Sequence, residues 1–295
     1  MPMTWARSPR SSSRWLLPGP EPREVSAANR GPSRGLLLVF WLAGGVLLAF
    51  ILLPLLQMAL NQTPARLELV ASMADVRSAI GLSLEAALFT TVVACLLGVP
   101  LAYLLARVQF PGKAIIEAVV DLPLAIPHTV VGIALLFVFG RTGLVGRSVN
   151  ALTGYQFWGT FGGIVVAMLF VSITYTVNAA RVGFESVNTR LEKVARTLGV
   201  GPWGVFGQVT LPLARRGILT GLTLTFARSI SEYGAVIVLT YFPMTAPVKI
   251  YDLFMQTGLE DSSAMAVLFL AVSLTLFILF RYLAHGRRST RQRSG

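Results

Sequence analysis

The sequence predicts an all-α integral membrane protein of about six transmembrane helices, and three observations lead to that fold class. Only 13% of the 295 residues are charged and 54% are hydrophobic, whereas soluble domains carry about 25% charged residues. The mean hydropathy is +0.68. The hydrophobic residues are gathered into runs that reach the roughly 20 residues a helix needs to cross a bilayer.

Six runs have this length, and they differ in the charges that they contain. The first, fourth and sixth hold no charged residue, and the second holds one, Glu85. The third includes Asp121 and His128. The fifth includes Arg228 and Glu232. The six runs cover residues 36–60, 79–106, 114–140, 157–180, 217–240 and 262–280.

Two basic tails flank these runs. Residues 1–35 are rich in Arg, Ser and Pro, a composition that cannot bury a core, so they are predicted to be a disordered cytoplasmic tail. Residues 285–295 form a second basic cytoplasmic tail. The run at 36–60 is interpreted as a first transmembrane helix, because it is too long for a signal sequence and no small-residue cleavage site follows it.

The distribution of Lys and Arg predicts the side of the membrane that each loop occupies. Cytoplasmic loops carry an excess of these residues. With the N-terminus inside, 19 of the 25 basic residues fall on the cytoplasmic side, five fall outside, and Arg228 lies within a run. An even number of spans then places both termini in the cytoplasm.

The loop between the fourth and fifth runs predicts a short amphipathic helix at residues 186–200. Its apolar residues recur three or four positions apart, which places them in one stripe along a helix. Gly199 ends this helix, and Pro202 prevents it from continuing unchanged. Two interpretations stay open on the pattern alone: the helix lies in the lipid interface, or a soluble partner grips it. The stripe consists of Phe184, Val187, Leu191, Val194 and Leu198.

The residues of this loop resemble the cytoplasmic signature of the binding-protein-dependent ABC importer permeases of type I. That signature reads E-A-A, three residues, G, nine residues, I, one residue, L-P. With its Gly on Gly199, its L-P falls on Leu211 and Pro212 without a gap. Its E-A-A then begins at Lys193, so that a base stands where the family has an acid, and Glu192 precedes it by one position.

The resemblance implies a coupling helix that docks into a groove on a separate ATPase subunit. It implies no catalytic residue and no cofactor on this chain, with ATP and Mg bound by the partner ATPase; the chain has no G-x-x-x-x-G-K-[ST] loop of its own. It also implies an extracytoplasmic solute-binding protein and a second permease copy, forming a homodimer in a bacterial or archaeal plasma membrane. The docking residues that it implies are Leu191, Glu192, Lys193, Ala195, Arg196, Thr197, Leu198 and Gly199.

Residues 78–284, the permease domain by this resemblance, contain further stretches similar to the molybdate, tungstate and sulfate branch of the family. These stretches are the segments 98–107, 121–127, 139–146 and 226–235. The loop at 241–247 is most similar to the molybdate/tungstate members. The resemblance therefore implies an oxyanion importer, most like a molybdate/tungstate permease, with a sulfate/thiosulfate permease as the alternative.

Ionisable residues within the runs are candidates for the translocation path, because a charge in the bilayer costs about 2.5–3.5 kcal/mol unless it is paired or faces water. Arg228 and Glu232 are four residues apart and can pair on one helix face. Either this pair only stabilises the fifth span, or Arg228 faces the path and offsets the charge of a passing oxyanion. Asp121 and His128 complete the candidate set, and His128 also has the simpler interpretation of a packed, hydrogen-bonded residue.

Other functional classes find less support in the sequence. Cys95 is the single cysteine and the histidines are His128 and His285, so no metal site is predicted. The net charge of +12 comes from loops and tails without a basic stripe of stacking aromatics, which argues against nucleic acid binding. An integral membrane enzyme would need clustered acid/base or metal residues. An ATP-independent channel or secondary carrier stays as an alternative that would need no partner at the 181–216 loop.

Overall fold

The computed structural model describes residues 34–285, and every regular element within that range is helical. The predicted all-α class is therefore confirmed for this part of the chain, whereas the two predicted tails lie almost wholly outside the described residues. The elements are α1 (Arg34–Leu60), α2 (Pro64–Ser72), α3 (Ala74–Arg107), α4 (Lys113–Ala125), α5 (His128–Phe139), α6 (Leu144–Thr153), α7 (Phe161–Glu185), α8 (Thr189–Thr197), α9 (Pro202–Val205), a π-helical turn (Phe206–Thr210), α10 (Leu211–Ile230), α11 (Gly234–Leu239), α12 (Ala246–Thr257) and α13 (Leu259–His285).

The number of spans differs from the six that the sequence predicts. Among the described residues, four helices are long and apolar enough to cross a membrane: α1, α3, α7 and α13. Helices α4 and α5 pass the same test together, but they are bent by 116° at the break between them, so they form a broken span or a re-entrant loop. The predicted span at 217–240 is divided between α10 and α11. Helix α10 contains three arginines, so it is not among the helices that are apolar enough to cross a membrane.

The chain divides after Leu55 into two compact units, and most of helix α1 belongs to the first. None of the residues of α1 is buried. An apolar helix of 27 residues is long enough to cross a bilayer with some tilt, and its exposed side chains are of the kind that lipid solvates.

In the second unit, α7 is the central helix, and it packs against both α3 and α10. A Cβ atom added at Gly217 of α10 would lie 2.5 Å from the Cα atom of Gly183 of α7, so the two backbones approach as only glycine allows. The hydroxyls of Thr176 and Thr225 hydrogen-bond across the same interface at 2.6 Å. Helix α8 and the π turn therefore lie at one end of this bundle, and the segments that precede α7 and follow α11 lie at the other.

Candidate functional site

Helix α8 is the predicted loop helix, and it is shorter than the predicted 186–200. The side chain of Asn188 accepts a hydrogen bond from the backbone N–H of Arg190 at 3.0 Å, which fixes the start of the helix. Gly199 has a φ of +86°, so it adopts the left-handed conformation that ends helices, as predicted. Pro202 begins the next helix, α9, where its missing N–H is not needed.

Glu192 is the buried residue of α8. Its Oε1 accepts hydrogen bonds from Arg107 Nη2 at 2.8 Å, from Arg107 Nε at 3.1 Å and from the hydroxyl of Thr210 at 2.9 Å. Arg107 also donates to the carbonyl of Val187 at 3.1 Å. The side chains of Arg107 and Glu192 are 12% and 8% exposed, so this charge-assisted cluster is shielded from solvent.

Glu192 stands one position before the aligned place of the signature's acid, and it is the side chain of α8 that the structure turns inward. Lys193, which occupies the aligned position, is exposed, as is Arg196. Thr197 donates at 2.8 Å to a carbonyl of α8 itself, and Ala195 is half-buried. The helix thus turns one carboxylate inward and presents its three bases, Arg190, Lys193 and Arg196, outward.

The predicted apolar stripe divides into a buried part and an exposed part. Phe184 and Val187 are buried in the core between α3, α7 and α10. The remaining three residues, which we call the apolar face of α8, are not covered by any described part of the chain, and Trp203 in α9 is 87% exposed beside them in sequence. The apolar face consists of Leu191 (49% exposed), Val194 (56%) and Leu198 (79%).

Leu211 and Pro212, which end the signature, open α10 directly after the π turn. The N–H of Leu211 donates to the carbonyl of Phe206, five residues earlier, in place of the usual four. Pro212 has no N–H to give and so cannot continue the α-helical ladder. The proline of the signature thus coincides with a local change of helical winding, of a kind that is frequent at functional sites.

Three of the four predicted path residues meet at the other end of α10. Arg228 Nη2 lies 2.7 Å from Glu232 Oε2 and 2.6 Å from His128 Nδ1. His128 Nδ1 also lies 3.2 Å from Glu232 Oε2. The Glu232 side chain is 1% exposed, and its Oε1 accepts from the backbone N–H of Ala235 at 2.8 Å, in the first turn of α11. Arg228 and His128 stay partly open, with side chains 20% and 37% exposed.

The fourth predicted path residue, Asp121, does not join this cluster. It accepts a hydrogen bond from Asn178 of α7 at 2.6 Å. Glu117, one turn earlier on α4, pairs with Arg181 of α7 at 2.7 Å. These contacts bind α4 to α7, and neither Asn178 nor Arg181 carries a sequence signal that points to them.

Glu85, the charged residue of the second predicted run, lies in α3. It is exposed, and none of the described residues forms a hydrogen bond or an ion pair with it. A carboxylate within an apolar helix stays ionised at low cost only where water or a partner reaches it. The face of α3 that carries Glu85 is therefore not explained by packing within the described chain.

A second polar cluster lies at the end of the bundle opposite α8, around the buried carboxylate of Asp252. Lys249 bridges Asp252 at 3.2 Å and Asp75 at 2.8 Å, and Tyr241 donates to Asp252 at 3.0 Å. This hydrogen bond to a carboxylate raises the pKa of the Tyr241 hydroxyl. Burial lowers the pKa of Lys249, but the two carboxylate partners, Asp75 and Asp252, raise it by more than burial lowers it. The pKa of Lys249 is therefore raised overall.

Replacing Lys249 by Ala is expected to destabilise this outer cluster, because the substitution leaves the buried Asp252 without its cation. We expect the midpoint of thermal unfolding in detergent to fall by about 4 °C. Since the folded-state pKa of Lys249 lies above its unfolded value, the contribution is complete at neutral pH and is lost only as the pH rises through the raised value.

The matched control is Arg66→Ala. Arg66 pairs with Glu260 at 2.6 Å and with Asp261 at 3.2 Å, but its own side chain is 34% exposed against 12% for Lys249, and exposed ion pairs contribute little. An equal fall of the midpoint in the two variants would contradict the proposed weight of the Lys249 bridge.

No group of three or more His, Cys, Asp and Glu side chains that could hold a metal ion occurs among the described residues. The two polar clusters and α8 are therefore the candidate functional parts that the described chain offers.

Comparisons with known proteins agree with one another. Residues 98–289 match the family described as binding-protein-dependent transport system inner membrane component. The molybdate/tungstate transport system permease protein of Thermococcus kodakarensis is 42% identical over 255 residues, which cover 86% of this chain and 97% of that protein. The molybdenum transport system permease protein of Escherichia coli is 36% identical over 222 residues, covering 74% of this chain and 96% of that protein.

A solved structure supports the fold independently. One chain of a bacterial alginate ABC transporter, crystallised in complex with an alginate-bound periplasmic protein, superposes with a TM-score of 0.65. The match covers 84% of this chain and 94% of that chain at 16% sequence identity. At that identity the likeness concerns the fold alone, and it agrees with the all-α permease fold that the sequence predicts.

Proposed function

The chain belongs to the family of binding-protein-dependent transport system inner membrane components, and we propose that it is the permease subunit of an ABC importer for molybdate or tungstate. The observation that carries the choice of substrate is the identity of 36–42% to permeases named for these oxyanions, over nearly the whole length of those proteins. The sulfate/thiosulfate alternative is not better supported.

The ATPase subunit docks on α8. The apolar face of this helix is uncovered, and apolar residues on a helix fit the hydrophobic groove of a partner. The bases Lys193 and Arg196 flank the face and remain in solvent. Lipid is the competing occupant, whereas the Glu192 contacts hold α8 at the ends of α3 and of the π turn. Of the predicted docking residues, Glu192 faces the bundle instead of a partner. The residues proposed for docking are the others of that set together with Val194 of the apolar face, namely Leu191, Lys193, Val194, Ala195, Arg196, Thr197, Leu198 and Gly199.

Substrate enters at the opposite end, delivered by an extracytoplasmic binding protein. The related alginate transporter was solved with its periplasmic protein bound. Counted on the six apolar runs of the sequence, the five basic residues assigned to the outside and the 19 assigned to the inside support an orientation with both termini in the cytoplasm. Two copies of the chain form the pore, as a homodimer.

Arg228 offers the positive charge that a passing oxyanion meets. Its Nη2 makes the close contacts with Glu232 and His128, whereas Nη1 has only Ser231 at 3.5 Å, beyond the usual hydrogen-bond range. The side chain is 20% exposed, so Nη1 can reach an anion without breaking the pair with Glu232. His128 contacts the same guanidinium, and its side chain is the most exposed of the three.

Reconstitution with the cognate ATPase and binding protein tests this function. In proteoliposomes, radiolabelled molybdate and tungstate are expected to accumulate with ATP at rates at least about tenfold above sulfate. Sulfate uptake at an equal rate would favour the sulfate alternative. Uptake of any of the three anions without ATPase or ATP would favour a channel or secondary carrier.

A further inference from the structure

Helix α8 is attached to the membrane bundle by one polar side chain. Among the described residues, Glu192 is the residue of α8 whose side chain hydrogen-bonds to another element; Thr197 bonds within the helix, and Lys193 and Arg196 bond to nothing. Helix α8 also lies against α9 and the π turn, and two short chain segments join it to its neighbours, at 186–188 and 198–201. The second segment contains Gly199 in the left-handed conformation. A segment with glycine at such a position bends more easily than a helix does.

The carboxylate of Glu192 joins three elements at one oxygen. Arg107 is the last residue of α3, and Thr210 is the last residue of the π turn, directly before α10. Both donate to Oε1, and Arg107 also donates to the carbonyl of Val187, in the turn between α7 and α8. We call this set of contacts the α8 clasp.

The elements beneath the clasp are already packed as one apolar body. Tyr103 of α3 contacts the rings of Phe184 of α7 and Phe206 of the π turn, with centroids 5.4 Å and 5.0 Å apart in edge-on geometry. All three rings belong to the same core cluster. Helix α8 contributes no residue to that cluster, so the clasp is what joins it to the packed ends of α3, α7 and α10.

We infer that Glu192 is a positioning residue that makes α8 move together with α3 and α10, so that displacement of α8 by the ATPase is passed to the membrane spans. This inference rests on the proposed function and adds to it the residue through which motion is transmitted. A displacement of the apolar face reaches the bundle either through the clasp or through the two flexible segments. Without the clasp, α8 follows the ATPase while the spans stay behind.

The experiment measures the ATP hydrolysed per molybdate ion imported by the reconstituted complex. Glu192→Gln keeps the shape of the side chain but removes its charge, and it leaves the apolar face intact. We expect the ATPase to co-purify as it does with the wild type, and the ATP consumed per ion to rise by at least about fivefold. The ratio is taken on purified, assembled complexes, so that a loss of folded permease lowers hydrolysis and import alike and leaves the ratio unchanged.

Glu185→Gln is the matched control, since it makes the same change at the cytoplasmic end of α7, where the side chain is 49% exposed. Its ratio is expected to equal that of the wild type. If Glu192→Gln does not assemble, Thr210→Val removes one hydrogen bond of the clasp and leaves the ion pair, and a rise of about twofold is expected. A wild-type ratio in the assembled Gln variant, or in the Val variant used in its place, overturns the inference. A wild-type complex that neither hydrolyses ATP nor imports molybdate would instead contradict the proposed function, and the inference with it.

Discussion

Replacing Leu191 and Leu198 together by Glu is expected to abolish capture of the ATPase subunit. The two side chains are 49% and 79% exposed on the apolar face of α8, and a docked partner would bury both. Two carboxylates placed in such a contact lose their hydration without gaining partners. We expect the affinity to fall more than about a hundredfold, as for central interface residues. Co-purification of a tagged ATPase with the permease variant measures the effect.

The folded permease should tolerate this double substitution, because exposed positions change stability little. The same two Leu→Glu changes at Leu144 and Leu152 of α6, which are 82% and 85% exposed at the far end of the bundle, are the control and should leave capture unchanged. Lys193→Glu restores the acid of the signature and is expected to keep capture intact or to strengthen it. Full capture by the Leu191, Leu198 double variant would place the ATPase elsewhere on the chain.

The sequence predicts α8 well because its signals are local. The apolar spacing, the glycine stop and the proline after it all lie within about 20 residues, and the structure reproduces them. The clasp could not be predicted in the same way, since Arg107 lies 85 residues from Glu192. Glu192 shares its polar side of the helix with exposed charges, and nothing in the pattern separates the one carboxylate that turns inward.

The cluster of Arg228, Glu232 and His128 also depends on a contact between residues that are distant in sequence. The spacing of four residues predicts the Arg228–Glu232 pair, which the structure contains at 2.7 Å. His128 joins them from 100 residues away. Asp121 does not, although it shares a predicted span with His128, because the 116° bend between α4 and α5 directs the two residues to different neighbours.

The predicted fifth span is continuous, whereas the structure has a break between α10 and α11, next to Glu232. The apolar run at 217–240 gives no sign of an interruption. In the structure, α10 ends at Ile230, and the Glu232 carboxylate accepts from the N–H of Ala235 to start α11. A side chain that substitutes for helical backbone bonds leaves the hydropathy of the run unchanged, so the break can be seen only in three dimensions.

Exchanging both Arg228 and Glu232 for Gln is expected to lower the rate of molybdate import by more than about tenfold while the permease still folds. Removing both charges leaves no unpaired ion in the membrane. A single substitution would leave one, at a cost of about 3–5 kcal/mol. The lost term is the attraction between the guanidinium and the passing anion. Two unit charges about 4 Å apart attract by about 4 kcal/mol at an effective dielectric constant of 20, so even a partial loss slows transport by this factor.

The alternative, in which the pair only stabilises the end of α10, predicts a different result for the same variant. Import would then survive the double exchange, since it leaves no unpaired charge in the membrane. Arg181 and Glu117, which pair at 2.7 Å between α7 and α4, provide a matched exchange to Gln of an ion pair outside the proposed path. We expect that control to import molybdate within about twofold of the wild type. Equal rates in the two double variants would assign Arg228 to structure, whereas a loss confined to the Arg228 and Glu232 variant would assign Arg228 to the path.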